Sequence, residues 1–265
     1  MFDNIIIGQY VPRQSVIHRM DPRAKLICLF LFMIVLFIGN RPAALIPAIL
    51  FVIAALLLAQ IPIRFFAKGI RIIAIIIFIT FILHLFMTRE GEILYQTSWF
   101  TLYEGALYQA SLVALRLFLL VVMASMLTLT TTPIDLTDGL ETLLGPLKKI
   151  GVPAHELALM MSIALRFIPT LLGEAEKIVK AQMARGATFT EGSLYKRAKA
   201  LIPLLIPLLI QSFKRAEDLA TAMEARGYVG GEGRTKYREL QWKMSDSVIL
   251  IITLSVGAMI FLLRA

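Results

Sequence analysis

Long runs with almost no charge decide the class of this chain. Ile72 to Met87 holds no formal charge, Ala106 to Thr130 holds one, Arg116, and Val248 to Leu263 holds none. A helix crossing a bilayer needs about 20 consecutive apolar residues. The runs are continuous, not alternating, which argues against a β-barrel. Hydrophobic residues make up 58% of the 265, and mean hydropathy is +0.78; globular domains hold roughly 45–50% apolar residues. The expected fold is all-α: a polytopic membrane protein with about five transmembrane helices and an interfacial or cytoplasmic part built of long amphipathic helices.

The net charge of +9 fits that class. Lys and Arg gather on the cytoplasmic side of membrane proteins, so no nucleic-acid partner is expected. Cys28 is the single cysteine, which leaves no intrachain disulfide. Residues 1–25 are polar and basic and lack the pattern of a cleavable signal. Arg13, Arg19, Arg23 and Lys25 place this lead-in on the cytoplasmic side. Asp21-Pro22-Arg23 reads as a helix start, with Asp21 as N-cap and Pro22 in the first helical position. A further contact role for these three is the alternative.

Leu26 to Ile38 and Ala43 to Ala59 are split by Gly39-Asn40-Arg41-Pro42. They form either one bent span or a tight hairpin. The basic residues Arg64, Lys68 and Arg71 beyond them favour the hairpin, which returns the chain to the basic side. Ile72 to Met87 is the next span. Glu90, Glu92 and Glu104 then face Arg89 alone, with Tyr95, Trp99 and Tyr103 suited to an interface, so this loop is expected outside. The following span carries Arg116. A central arginine costs at least ~2.5–3.5 kcal/mol, so it faces the bundle or a polar cavity. It either belongs to a transport path or forms a structural pair, with His84 as a candidate neighbour.

Residues 132–246 read as one long cytoplasmic stretch. Thr132-Pro133-Ile134-Asp135 opens a helix. Leu136, Leu140, Leu143, Leu144 and Leu147 share a face, which suits a helix lying flat on the membrane. Gly145-Pro146 weakens its end. Pro153 starts the next helix, which Pro169 is expected to kink on its way to Arg185. Residues 187–200 form a basic link, and a second long helix is expected from Leu201 to Arg226. Residues 227–246 are a charged, glycine-rich loop before the last span, which leaves Ala265 outside. Three parts result: 1–131 with about four membrane helices, 132–246 as a cytoplasmic region with two long helices, and 247–265 as a final membrane helix.

The two long helices both close on Ala-x-x-Ala-Arg-Gly, at Ala184-Arg185-Gly186 and at Ala225-Arg226-Gly227. Glycine past a helix end takes the left-handed conformation, and arginine complements the helix dipole. Capping would account for one such end. Two on paired amphipathic helices favour docking on a partner, since an exposed guanidinium offers five donors. Gly230-Gly231-Glu232-Gly233-Arg234-Thr235-Lys236 lacks the phosphate-loop spacing and follows no apolar strand. It reads as a linker, and the chain is expected to bind no nucleotide of its own. His18, His84 and His155 have no metal-ligand spacing, and Ser125 and Ser162 have no nucleophile context. No catalytic, cofactor or metal residue is assigned.

The motifs resemble a known family. They are Leu115-Arg116-Leu117, Leu127 to Pro133, Pro146-Leu147-Lys148, His155-Glu156, Arg166-Phe167-Ile168-Pro169, Asp21-Pro22-Arg23-Ala24-Lys25 and both Ala-Arg-Gly ends. They look like the transmembrane component of energy-coupling factor transporters, the EcfT/CbiQ family. The resemblance implies a non-catalytic scaffold in a prokaryotic cell membrane. It joins two ABC-type ATPases, which would hold ATP and Mg, to an exchangeable substrate-binding S component for uptake of vitamins or related micronutrients. It also implies that both Ala-Arg-Gly tips dock on the ATPases. The chain looks more like the shared type than the dedicated cobalt or nickel importer component. A membrane-embedded enzyme and a stand-alone secondary transporter are the other classes; neither a catalytic cluster nor an inverted repeat is visible for them.

Overall fold

A computed structural model describes residues 10–97, 100–151, 153–187, 193–230 and 239–264. The protein is an all-α polytopic membrane protein. It divides into two compact units, one of Gly8–Thr142 with Leu240–Ala265, the other of Leu143–Glu239.

The first unit opens with α1 (Pro22–Ile38), α2 (Pro42–Ala59) and α3 (Ile63–Met87). The Asp21 carboxylate accepts the Arg23 backbone N–H at 2.9 Å, and Pro22 takes the first helical position. That is the start the sequence predicts. Pro42 opens α2 in the same way, and Gln60 ends it in the left-handed region at φ 53. The sequence places Arg64, Lys68 and Arg71 in a loop before a span at Ile72. Instead α3 is already helical from Ile63. Their basic charge was the reason for reading a loop, yet Lys and Arg are good helix formers and extend a helix without cost.

The segment after α3 also differs from the loop expected there. Strands β1 (Ile93–Thr97) and β2 (Phe100–Tyr103) pair antiparallel, Tyr95 opposite Leu102 and Gln96 opposite Thr101. Aromatic and β-branched residues favour such a pair. Trp99 lies outside the described residues. Helix α4 (Glu104–Thr130) follows and packs along α3. Helix α5 (Pro133–Leu144) begins with a reciprocal cap: the Asp135 N–H donates to the Thr132 hydroxyl at 3.2 Å, and that hydroxyl donates to the Asp135 carboxylate at 2.7 Å. It gives way to a 3₁₀ turn over Gly145–Ile150, where Gly145-Pro146 was expected to weaken it.

The C-terminal helix α8 (Met244–Leu263) returns to this unit. It starts four residues before the apolar run at Val248. It packs on both α1 and α2, more extensively than these two pack on each other. The two helices are thus joined by a third from the far end of the chain. Phe32, Leu36, Leu45 and Ile260 are fully buried where the three meet. Outward-facing Phe30, Ile34, Phe37, Ile75, Phe78, Leu83, Ile251 and Phe261 are exposed, an apolar girdle that only lipid or protein can cover.

The second unit holds α6 (Ala154–Ala184) and α7 (Leu194–Ala225), which pack together. Helix α7 begins at Leu194, seven residues ahead of Leu201, so the second half of the expected basic link, 194–200, is helical. Pro169 lies within α6, and Pro203 and Pro207 lie within α7. Among the described residues four helices are long and apolar enough to cross a membrane: α2, α4, α6 and α8. Helix α6 joins this group through its apolar first half, Leu157 to Leu172, although the sequence reading did not count it as a span. Most of Gly230–Lys236 lies outside the described residues, as do Gly192 and Ala265.

Candidate functional site: two arginine-bearing helix tips

The two Ala-Arg-Gly ends have one geometry. At the end of α6 the Gly186 N–H donates to the Met183 carbonyl at 2.9 Å, and the Ala187 N–H donates to the Gln182 carbonyl at 3.0 Å. At the end of α7 the Gly227 N–H donates to the Glu224 carbonyl at 2.8 Å, and the Tyr228 N–H donates to the Met223 carbonyl at 3.0 Å. Both are Schellman caps. They require a left-handed residue, and Gly186 and Gly227 have φ of 89 and 74. A Cβ at either would meet nothing within 4 Å, so the demand for glycine is conformational, not steric.

This geometry separates the glycines from the arginines. The carbonyls of Gln182 and Met183 at one end, and of Met223 and Glu224 at the other, already accept backbone N–H groups. The Arg185 and Arg226 side chains are therefore not needed as caps. Both are exposed, as are Ala184 and Ala225 beside them. Each tip is a fixed turn presenting one guanidinium, flanked by a residue with no bulk.

Higher up, α6 and α7 are joined by an ion pair that sequence reading missed. The Arg215 guanidinium donates to the Glu174 carboxylate. A cavity of about 310 Å³ lies beside it, lined by Ile163, Phe167 and Leu171 of α6 and by Ala216, Leu219 and Met223 of α7. The signal was available: Glu174 and Arg215 occupy the same place in the two similar helix ends.

The other predicted residues fall in the first unit. Arg23 forks onto Asp21, Nε to Oδ1 at 3.0 Å and Nη2 to Oδ2 at 2.8 Å, and Nη2 also donates to the Leu240 carbonyl at 3.0 Å. The guanidinium lies 5.9 Å from the Trp242 ring centre. Burial pushes the Asp21 carboxyl up, but the hydrogen bonds from Arg23 outweigh it and hold it below its ordinary value. Beneath this pair sits Asp246, 0% exposed. Its carboxylate accepts the Asp21 N–H at 3.1 Å and the Lys243 N–H at 2.7 Å. Lys25, also buried, donates to the Thr130 carbonyl at 2.9 Å and the Thr131 hydroxyl at 3.1 Å. The Asp21-Pro22-Arg23 signature thus ties α1 to the start of α8, and Lys25 ties it to the end of α4. Asp246 went unnoticed because a lone aspartate ahead of an apolar run reads as a solvated first-turn charge.

Arg116 donates to the Gly39 carbonyl at 2.8 Å and lies 5.3 Å from the Phe37 ring centre. His84 bonds the Thr80 carbonyl of its own helix at 2.9 Å. Among the described residues no hydrogen bond joins the two. Arg116 instead satisfies a carbonyl just past the end of α1.

Comparison with known proteins places the whole chain. The model of the CbiQ family, described as cobalt transport protein, matches residues 13–237. An energy-coupling factor transporter transmembrane protein EcfT of Bacillus selenitireducens is 58% identical over 97% of this chain and 96% of its own length. The EcfT protein of Bacillus subtilis is 52% identical over the full length of both chains, and that of Listeria innocua serovar 6a is 45% identical, also over the full length of both. With a family model covering most of its length and relatives this similar end to end, the chain belongs to the CbiQ family, among the transmembrane components of energy-coupling factor transporters.

Proposed function

We propose that this chain is the non-catalytic scaffold through which two ABC-type ATPase subunits drive an exchangeable S component. The cargo class is vitamins or related micronutrients. ATP and Mg bind to the partners. One observation carries the reading: two packed helices end in the same rigid cap, each presenting an arginine that its own helix does not use. Arg185 and Arg226 each engage one ATPase subunit. An apolar ladder on α7, with Leu201, Leu205, Ile206, Leu209, Ile210 and Phe213 exposed, supports a second contact, with the S component. The similarity to EcfT proteins favours a shared complex over a dedicated cobalt or nickel importer.

Co-purification tests this directly. The tagged chain, expressed with its neighbours in the complex, should bring down nucleotide-binding subunits and an S component. Alone, after stringent purification, it should show no ATP turnover. Robust hydrolysis by the lone chain, or its recovery without ATPase partners, would refute the reading.

The proposed topology has the N-terminus and residues 132–246 in the cytoplasm of a prokaryotic cell, with 1–131 and 247–265 as the membrane parts. It rests on basic residues set against the acidic segment around Glu90 and Glu92. In a Cys28→Ser background, Glu92→Cys and a cysteine added after Arg264 should react with an impermeant thiol reagent from outside. Arg64→Cys and Tyr195→Cys should react only after permeabilisation. Labelling of Tyr195→Cys from outside would overturn the assignment.

A further inference from the structure

The two tips stand at equal distances from one ion pair. Glu174 lies eleven residues before Arg185, and Arg215 lies eleven before Arg226. Eleven residues make three turns, about 16 Å of helix. We propose that Glu174–Arg215 is a register pin: a positioning pair that holds the two arginine tips level so that both ATPase subunits are engaged together. This rests on the docking role of Arg185 and Arg226 proposed above.

The placement follows from the repeat. Aligning Glu174–Gly186 with Arg215–Gly227 puts Ala175 on Ala216, Glu176 on Glu217, Ile178 on Leu219 and Ala181 on Ala222. Glu174 and Arg215 are then equivalent positions. When equivalent positions of two related elements touch, the contact lies on the local two-fold between them. Two identical charges there would repel; one of each sign attracts. The pair marks the one level at which a slip of either helix makes the arms to the tips unequal.

Packing is open at this level. Beside the pair, the cavity of about 310 Å³ leaves the crossing short of the close interlock that normally fixes helix register. One turn of slip would displace a tip by about 5.4 Å. The ion pair is partly shielded, with side-chain exposures of 17% for Glu174 and 32% for Arg215. Glu174 Oε2 is buried and has no hydrogen-bond partner among the described residues. Moving Arg215 away would strand that carboxylate, so the register in which they meet is favoured over its neighbours.

Charge exchange tests the pin in the complete transporter. Glu174→Arg and Arg215→Glu, each alone, place like charges at the crossing; uptake per assembled complex should fall roughly tenfold. The double exchange, Glu174→Arg with Arg215→Glu, should return it to within about twofold of wild type. Spin labels at Ala184→Cys and Ala225→Cys, in a Cys28→Ser background, report the distance between tips. Its distribution should be narrow in wild type and in the double exchange, and broad in each single. If the single exchanges do not insert, Glu174→Gln and Arg215→Gln replace them with the same expectation of broadening. Single variants with wild-type uptake and a narrow distribution would overturn the pin, as would a double exchange no better than the singles. Arg185→Glu with Arg226→Glu is run beside them. Wild-type uptake there refutes docking, while the distance measurement still decides the pin on its own.

Discussion

With Arg185→Glu and Arg226→Glu combined, the chain should insert normally yet recover almost no ATPase subunit at matched membrane expression, and uptake should vanish. The argument starts from the caps. Each helix end is closed by its own backbone, through Ala187 and Gly186 at one tip and Tyr228 and Gly227 at the other. The guanidinium groups are exposed and contribute little to the fold. Their value lies at an interface, where losing one partner of a buried charged contact costs about 2–5 kcal/mol, in part because the other partner is left unpaired. Reversal adds repulsion, so Glu should be worse than Ala. Either single change should weaken assembly, and the double change should act on both subunits. If the arginines only complemented the helix dipole, Arg→Ala would cost ~0.3–1 kcal/mol of helix stability, and assembly would persist. Wild-type co-purification and uptake in the double Glu variant would rule out docking.

Asp246→Ala should destabilise the first unit by about 2–5 kcal/mol, seen as a lower thermal midpoint in detergent and a smaller folded fraction in the membrane. Asp246 is 0% exposed and accepts backbone N–H groups from Asp21 and Lys243. Alanine leaves the Asp21 N–H buried without a partner, worth roughly 1–3 kcal/mol, and removes the cap on the exposed Lys243 N–H, worth about 0.5–2 kcal/mol. It also unfastens the N-terminus of α1 from that of α8, which enclose the core around Phe32 and Ile260. Asp246→Asn keeps the shape but turns one acceptor into a donor facing an N–H, so it should fall between the two. A midpoint unchanged in Asp246→Ala would show that the junction contributes nothing to stability.

Local signals carried the membrane class and several helix starts. Uncharged runs of span length leave no soluble alternative, since every backbone polar group in lipid must be satisfied within a helix. Asp21-Pro22 and Thr132-Pro133 announce caps that depend on neighbours two or three residues away, and the structure has both. The Ala-Arg-Gly ends were legible for the same reason: a Schellman cap is made within six residues. Charge misled where it was treated as a mark of loops. The basic residues within 64–71 and 194–200 are helical, because Lys and Arg are good helix formers.

What the sequence by itself determined is therefore the all-α membrane class, the two paired tips and the caps that shape them, all set by interactions a few residues long. Tertiary structure alone decided the rest. It set α8 against both α1 and α2, buried Asp246 beneath Asp21 across a separation of 225 residues, gave Arg116 the Gly39 carbonyl instead of His84, and brought Glu174 to Arg215. Each of these pairs residues far apart in the chain. The choice among such partners turns on which helices pack side by side, and one helix's pattern of apolar residues says which face is buried but not against what.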